Sequence, residues 1–313
     1  MLMSRKKIAF FGAGNVGGTA AFLCAIKELG DIILLDTADR RGIAIGKALD
    51  IKQSLSVFYA DVSVIGSSDP EEISDADVCV ILAGSPRKPG MSRNDLFITN
   101  HQVIESISGA IRTFAPDSIV IMVTNPLDAM TYAMLKLCRF PKNRVIGMAG
   151  ILDSIRFQST LAELINCSTK DIRTLVMGSH GDEMVPVYDF SSVNGVPITN
   201  LLDDVSISES AQKTRDYGGE IVKLMGTSAF FAAASSVVVV IESIVRDQKR
   251  ILPCSVLLEG EYGIWDTCIG VPVMIGKDGV EKIVEVPLPR SDLFKLQKSA
   301  EIVKKITTTN NYY

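Results

Sequence analysis

Lys7-Ile8-Ala9-Phe10-Phe11-Gly12-Ala13-Gly14-Asn15-Val16-Gly17 joins an apolar run to a glycine-rich turn, and Thr19 to Leu29 then reads as a helix. Asp31 to Asp36 is a second apolar run that ends on a carboxylate. Strand, turn, helix and strand make one βαβ unit in which each glycine has its own task. Gly12 permits the tight turn, Gly14 lets main chain approach a pyrophosphate, and Gly17 lets helix and strand pack closely. The helix N-terminus offers N–H donors and a positive dipole end to phosphate oxygens. Asp36, about 20 residues beyond the glycines, can accept from both hydroxyls of an adenosine ribose and would repel a 2′-phosphate. Gly12, Ala13, Gly14, Asn15, Val16, Gly17 and Asp36 therefore read as a site for NAD. A ligand-free tight turn is the alternative. Arg40 and Arg41 follow closely, either as solvated charges opening the next helix or as groups that would admit NADP.

The alternation continues. Arg40 to Val57 has helical spacing, Val62 to Gly66 is a third strand, and Asp77 to Leu82 is a fourth with the continuous apolar character of a parallel strand buried on both faces. Leu96 to Phe114 is a helix, Ser118 to Val123 a fifth strand, Pro126 to Cys138 a helix and Val145 to Met148 a sixth strand. Two successive βαβ halves predict an α/β fold with a Rossmann-type doubly wound parallel sheet, whose ligand lies at the carboxyl ends of the strands. Past Gly150 the pattern changes to α+β. A helix runs to about Ile165 and a strand from Thr174 to Met177. Asn194-Gly195 marks a hairpin, and a long helical region from about Ser208 to Arg250 is loosened at Gly226. Ile269 to Glu285 is a further hairpin turning at Lys277-Asp278-Gly279, Ser291 to Ile306 is a last amphipathic helix, and the tail from Thr307 is low in complexity. The division expected is a cofactor domain over 1–150 and a substrate-binding catalytic domain over 151–313.

A chain of 313 residues can bury two such cores. Net charge is -4 and Lys and Arg form no block, so nucleic acid and anionic membrane are poor partners. The six cysteines stand singly without CxxC spacing, as small buried thiols of a reducing compartment rather than metal ligands. Met1 to Lys6 leads directly into the first strand, leaving no room for a removable signal. Ala232 to Val245, the most apolar stretch, is too short to span a bilayer and contains Glu242. A cytoplasmic protein is expected.

Gly84 to Asp95 is a long polar loop, rich in Gly and Pro, that leaves the fourth strand where the nicotinamide end of a dinucleotide would lie. Such loops serve as active-site lids. Arg87 and Arg93 on it fit an anion clamp better than two solvated charges. His180 sits in the turn Gly178-Ser179-His180-Gly181-Asp182 after an apolar strand, and Asp153 and Arg156 share one helix face by their spacing of three. A carboxylate against an imidazole fixes its tautomer and raises its proton affinity. A guanidinium beside them can take a substrate carboxylate in two-point fashion. His101, inside an apolar-periodic helix, reads as structural.

With these residues in view, the sequence resembles the lactate/malate dehydrogenase family, in particular its lactate-dehydrogenase-like malate dehydrogenase branch. The glycine turn and Asp36, the loop Ala83 to Arg93, Val123-Thr124-Asn125-Pro126, Leu152 to Phe157 and Gly178 to Asp182 carry the likeness. So do Leu258 to Gly263 and Ile269 to Pro272, and nearly the whole chain is covered. The resemblance implies reversible NAD-dependent oxidation of malate to oxaloacetate, a step of the tricarboxylic acid cycle, by a homo-oligomer. By the same likeness His180 takes the hydroxyl proton as hydride leaves, Asp153 orients His180, and Arg156 pairs with the C1 carboxylate. Asn125 bonds the hydroxyl, Arg93 polarises the carbonyl as the lid closes, and Ser228 lines the pocket. Asn100, Val123, Thr124 and Asn125 match positions at the cofactor. Arg87 stands where the malate branch meets the second carboxylate with arginine and the lactate branch carries glutamine. Pyruvate would leave that guanidinium unpaired in a closed site, which is strongly unfavourable. Ser228-Ala229-Phe230-Phe231-Ala232-Ala233 departs from the branch's Ser-Ala-Tyr-Tyr-Ala-Pro, and Ser85 replaces a commonly apolar residue at the lid hinge. The competing readings are a lactate or another 2-hydroxy-acid dehydrogenase, disfavoured by Arg87, and a catalytically silent NAD-binding protein. The second would need the glycine turn but not His180, Asp153, Arg93 and Arg156 together.

Overall fold

In the computed structural model, which describes residues 5–86 and 90–310, the first half alternates as the sequence predicts. Its strands are β1 (Lys7–Phe11), β2 (Asp31–Leu35), β3 (Val64–Ser67), β4 (Val78–Ile81), β5 (Ile119–Met122) and β6 (Val145–Gly147). Its helices are α1 (Asn15–Ile26), α2 (Arg41–Phe58), α3 (Arg93–Phe114) and α4 (Leu127–Cys138). All six strands are parallel in the order β3-β2-β1-β4-β5-β6, the doubly wound arrangement with its switch point between β1 and β4. Every residue of β4 and β5 is buried, as strands covered by helices on both faces must be. The helix after the glycine turn begins at Asn15, four residues before its expected start, because Gly14 is already its N-cap.

The second half contains α5 (Gly150–Ile165), β7 (Ile172–Arg173), β8 (Val176–Gly178), β9 (Met184–Pro186), β10 (Ser192–Val193) and β11 (Val196–Pro197). These are followed by α6 (Asp204–Met225), α7 (Phe231–Val245), β12 (Arg250–Glu259), β13 (Trp265–Gly276), β14 (Gly279–Ile283) and α8 (Arg290–Thr309). The Asn194-Gly195 turn joins β10 to β11 with positive φ at both residues, as that dipeptide favours.

Two expectations are corrected. The helical region does not reach Arg250: α6 stops where Gly226 adopts a left-handed cap, and α7 stops at Val245, before Asp247 and Lys249 both take positive φ. The residues that follow form β12, a strand the sequence reading does not assign. β12 pairs antiparallel with β13 along its whole length and meets β6 at Ser255 opposite Gly147. One sheet of 11 strands therefore runs from β3 through β6, β12, β13 and β8 to β9, with β14 on β13. The last helix also extends through the Thr-rich tail to Thr309, burying Thr307. A smaller apolar cluster of Phe157, Leu161, Ile172, Met184, Ile207 and Ala211 holds α5 and α6 together beside this sheet. Among the described residues no helix is long and apolar enough to cross a membrane.

Candidate active site

The glycine turn lies where β1 ends. Gly12 donates its N–H to the Leu35 carbonyl at 2.8 Å and has φ +111°, and a Cβ there would stand 2.9 Å from the Ala83 nitrogen. A Cβ on Gly17 would collide with the Gly12 carbonyl oxygen, whereas one on Gly14 would meet only open space. The chain thus needs Gly17 for its own packing and leaves Gly14 clear for an incoming group. Asn15 and Val16 begin α1 with no side chain capping it, so the N-terminal donors face that space. Asp36 Oδ2 accepts the Ala13 N–H at 3.0 Å and Oδ1 that of Thr37 at 2.9 Å. Arg40 Nε lies 3.3 Å from the same carboxylate and pairs with it. Lys47, which the sequence reading passes over, reaches from α2 to the Gly14 carbonyl at 2.7 Å. These donors and acceptors fit a dinucleotide's phosphates and ribose.

At the ends of β4 and β5 the start of the 84–95 loop is braced. Asn100 is fully buried and accepts the Ser85 N–H at 2.7 Å. Its amide donates to the carbonyls of Ser85 and Asn125 at 3.2 and 2.7 Å. Thr124 Oγ1 donates to the Ala83 carbonyl at 2.7 Å. Asn100 therefore ties the start of the 84–95 loop to the 124–126 turn, while Asn125 is exposed and Val123 half-buried. At the far end of the same loop, Ser92 and Asp95 close a capping box at the start of α3, which places Arg93 in its first turn. The Arg93 guanidinium pairs with Asp182 at 3.2 Å. Arg87 lies outside the described residues.

The second half contributes His180, Asp153 and Arg156. Ser154 on α5 accepts the Val176 N–H at 3.0 Å, fixing α5 against β8. Ser299 on α8 accepts the Ser179 N–H at 2.9 Å. Between these anchors Gly178 and Gly181 take φ of +84° and +111°, and His180 is turned toward α5. Its Nδ1 lies 2.9 Å from Asp153 Oδ2, and Arg156 Nη1 is 3.8 Å from Asp153 Oδ1. Asp153 is only 3% exposed. Its negative charge raises the His180 pKa, as does their hydrogen bond, against the opposing effects of burial and of Arg156. Burial lowers the Arg156 pKa from its ordinary value, and its Nε is buried without a hydrogen-bond partner among the described residues. A buried guanidinium with spare donors is a place for a carboxylate. The Nδ1–H bond to Asp153 leaves Nε2 as the proton acceptor. Bringing these groups together makes proton abstraction beside an anchored acid possible.

Ser228 lies exposed in the connection between α6 and α7, next to Phe230 and Phe231, whose rings are 4.2 Å apart. His101 stacks on Phe97 at 5.9 Å. The six cysteines are free thiols, and burial pushes those of Cys79 and Cys138 up to about 12. Sequence reasoning missed Asp128, whose Oδ2 accepts the His180 main-chain N–H at 2.9 Å. An acidic residue just after Pro126 shows only as a helix-start signal.

Family models match both halves: "lactate/malate dehydrogenase, NAD binding domain" over residues 6–147, and "lactate/malate dehydrogenase, alpha/beta C-terminal domain" over 151–311. The chain is 50% identical over 307 residues to malate dehydrogenase 1 of Anaeromyxobacter dehalogenans (strain 2CP-C), covering 97% of this chain and 98% of that one. Among solved structures it is similar to the apo malate dehydrogenase of Picrophilus torridus, with a TM-score of 0.95 and 42% identity over 99% of this chain and 98% of that one. It is also similar to the Cryptosporidium parvum lactate dehydrogenase complexed with lactic acid and NAD, with a TM-score of 0.95 and 36% identity over 99% of both chains.

Proposed function

The chain belongs to the lactate/malate dehydrogenase family, and from that premise we propose that it is an NAD-dependent malate dehydrogenase interconverting (S)-malate and oxaloacetate. The observation that carries the chemistry is the buried Asp153 flanked by His180 and Arg156. The choice of dicarboxylate rests on Arg87 in the lid sequence and on the malate dehydrogenases among its relatives.

NAD, when bound, supplies the acceptor for hydride from C2 of malate. Arg156 holds the C1 carboxylate through its free donors, and Arg87 meets the second carboxylate as the lid closes. Asn125 orients the C2 hydroxyl. His180 Nε2 takes the hydroxyl proton as hydride departs, so that the C2–H and O–H bonds break while the carbonyl forms. Asp153 stabilises the resulting imidazolium, and Arg93 polarises the carbonyl in the reverse direction. Ser228 lines the outer wall. Gly12, Ala13, Gly14, Asn15, Val16 and Gly17 hold the pyrophosphate and Asp36 the adenosine ribose, with Val123 and Thr124 at the nicotinamide end and Asn100 bracing that end from within.

In this reading residues 1–150 bind the cofactor and 151–313 hold the substrate, although Arg93 and Asn125 reach it from the first half. In this reading the enzyme acts in the tricarboxylic acid cycle, in the cytoplasm. Exposed apolar side chains support a homo-oligomer, dimer or tetramer: Val57 and Phe58 on α2, Leu224 and Met225 on α6, and Phe231 on α7. His180→Gln tests the assignment. Oxaloacetate turnover is expected to fall by about 10³-fold while NADH binding, read by fluorescence titration, is retained; retained turnover would overturn it.

A further inference from the structure

His180 is held by a second carboxylate that the proposed reaction does not use. Asp128 stands in the first turn of α4, only 4% exposed, and its Oδ2 accepts the His180 main-chain N–H at 2.9 Å. Its Oδ1 is buried and makes no hydrogen bond of good geometry among the described residues. An asparagine would hold the same N–H without the cost of burying a charge. Burial raises the Asp128 pKa, and its charge is favoured in return by the Ser255 hydroxyl, the His180 main-chain N–H and the imidazolium of His180.

We propose that Asp128 is a positioning residue for the dehydrogenase reaction: it fixes the His180 main chain and, as a second anion with Asp153, holds the proton on the ring. The inference rests on His180 being the acid–base group of the reaction proposed above. The groups that face His180 are consistent with it. Asp153 and Arg156 come from α5, Asp128 from α4, and the Arg93–Asp182 pair from α3 and the His180 turn itself. On the α8 side the Ser299 hydroxyl anchors Ser179. Ser255 on β12 and the thiol of Cys268 on β13, raised well above its ordinary pKa, lie on the Asp128 side and carry no charge. Asp128 adds, after Asp153, to the rise in His180 proton affinity; burial raises the Asp128 pKa itself, and the helix dipole of α4 opposes that.

The test is Asp128→Asn in the full chain. Because the sequence has two histidines, NMR of labelled histidine, with His101→Gln to assign the signals, reads His180 directly. Its titration midpoint is expected to fall by about one pH unit. The acid limb of malate oxidation and the alkaline limb of oxaloacetate reduction should move down with it. An unmoved midpoint, with stability or turnover reduced, would make Asp128 merely structural and overturn the proposal. Asp128→Ser gives a second neutral variant should the first fail to fold, and Asp128→Glu keeps the charge. A midpoint that falls as far in the Glu variant as in a neutral one would also overturn it. Absence of malate turnover in the unsubstituted enzyme would sink the reaction instead, leaving the titration readable.

Discussion

His180 works between two influences of opposite sign: Asp153 favours the imidazolium, and burial and Arg156 disfavour it. The balance lies on the side of a raised pKa, and the direction has a consequence for each half-reaction. In the proposed reaction malate oxidation needs neutral His180, so its kcat/KM should fall as pH drops through that raised value. Oxaloacetate reduction needs the protonated ring, so its kcat/KM should fall as pH rises through it. Initial rates in both directions from pH 5 to 9, a range set around the ordinary histidine value of about 6.5, check this; flat profiles in both would contradict it. Arg156 offers a second test. Lysine cannot reproduce a planar two-point contact, so Arg156→Lys should lower kcat/KM for oxaloacetate by about 10²-fold, mainly through KM. An unchanged KM would remove Arg156 from the substrate.

At the level of elements, the join of β1 to α1 is the most constrained contact in the cofactor half. A side chain at Gly17 runs into the Gly12 carbonyl. Gly17→Val should cost about 1–3 kcal/mol in overpacking and lower both the thermal midpoint and NADH affinity; thermal unfolding and fluorescence titration with no change would show that the turn can yield. This join was readable because the glycines are separated by short fixed intervals and flanked by buried strands. The Asp153–Arg156 spacing was equally readable from helix periodicity, and it led to His180 27 positions away. Two features were hidden for physical reasons. β12 carries Pro253, which argues against a strand within a sheet. In the fold Pro253 faces Pro272 of β13 in an antiparallel register and packs beneath Gly150, an arrangement no local pattern announces. Asp128 looks like any acid complementing a helix N-terminus, and only tertiary structure buries it against His180.

Across the whole molecule, the continuous sheet is what places the two halves of the chemistry together. β12 continues it from β6 at Ser255–Gly147, and β8 joins β13 through Gly178–Gly270. The His180 turn at the end of β8 is thereby set against α4 and α5 rather than left on a separately moving unit. The scaffold is shared equally with malate and lactate dehydrogenases, each at a TM-score of 0.95, so its shape cannot select between their substrates. In the proposed reaction that choice falls to Arg87 of the 84–95 loop sequence. The most direct measurement is NADH oxidation by the purified enzyme with oxaloacetate and with pyruvate, compared as kcat/KM. Oxaloacetate is expected to be favoured by about 10²-fold or more; a preference for pyruvate would contradict the assignment to malate while leaving the cofactor site and His180 in place.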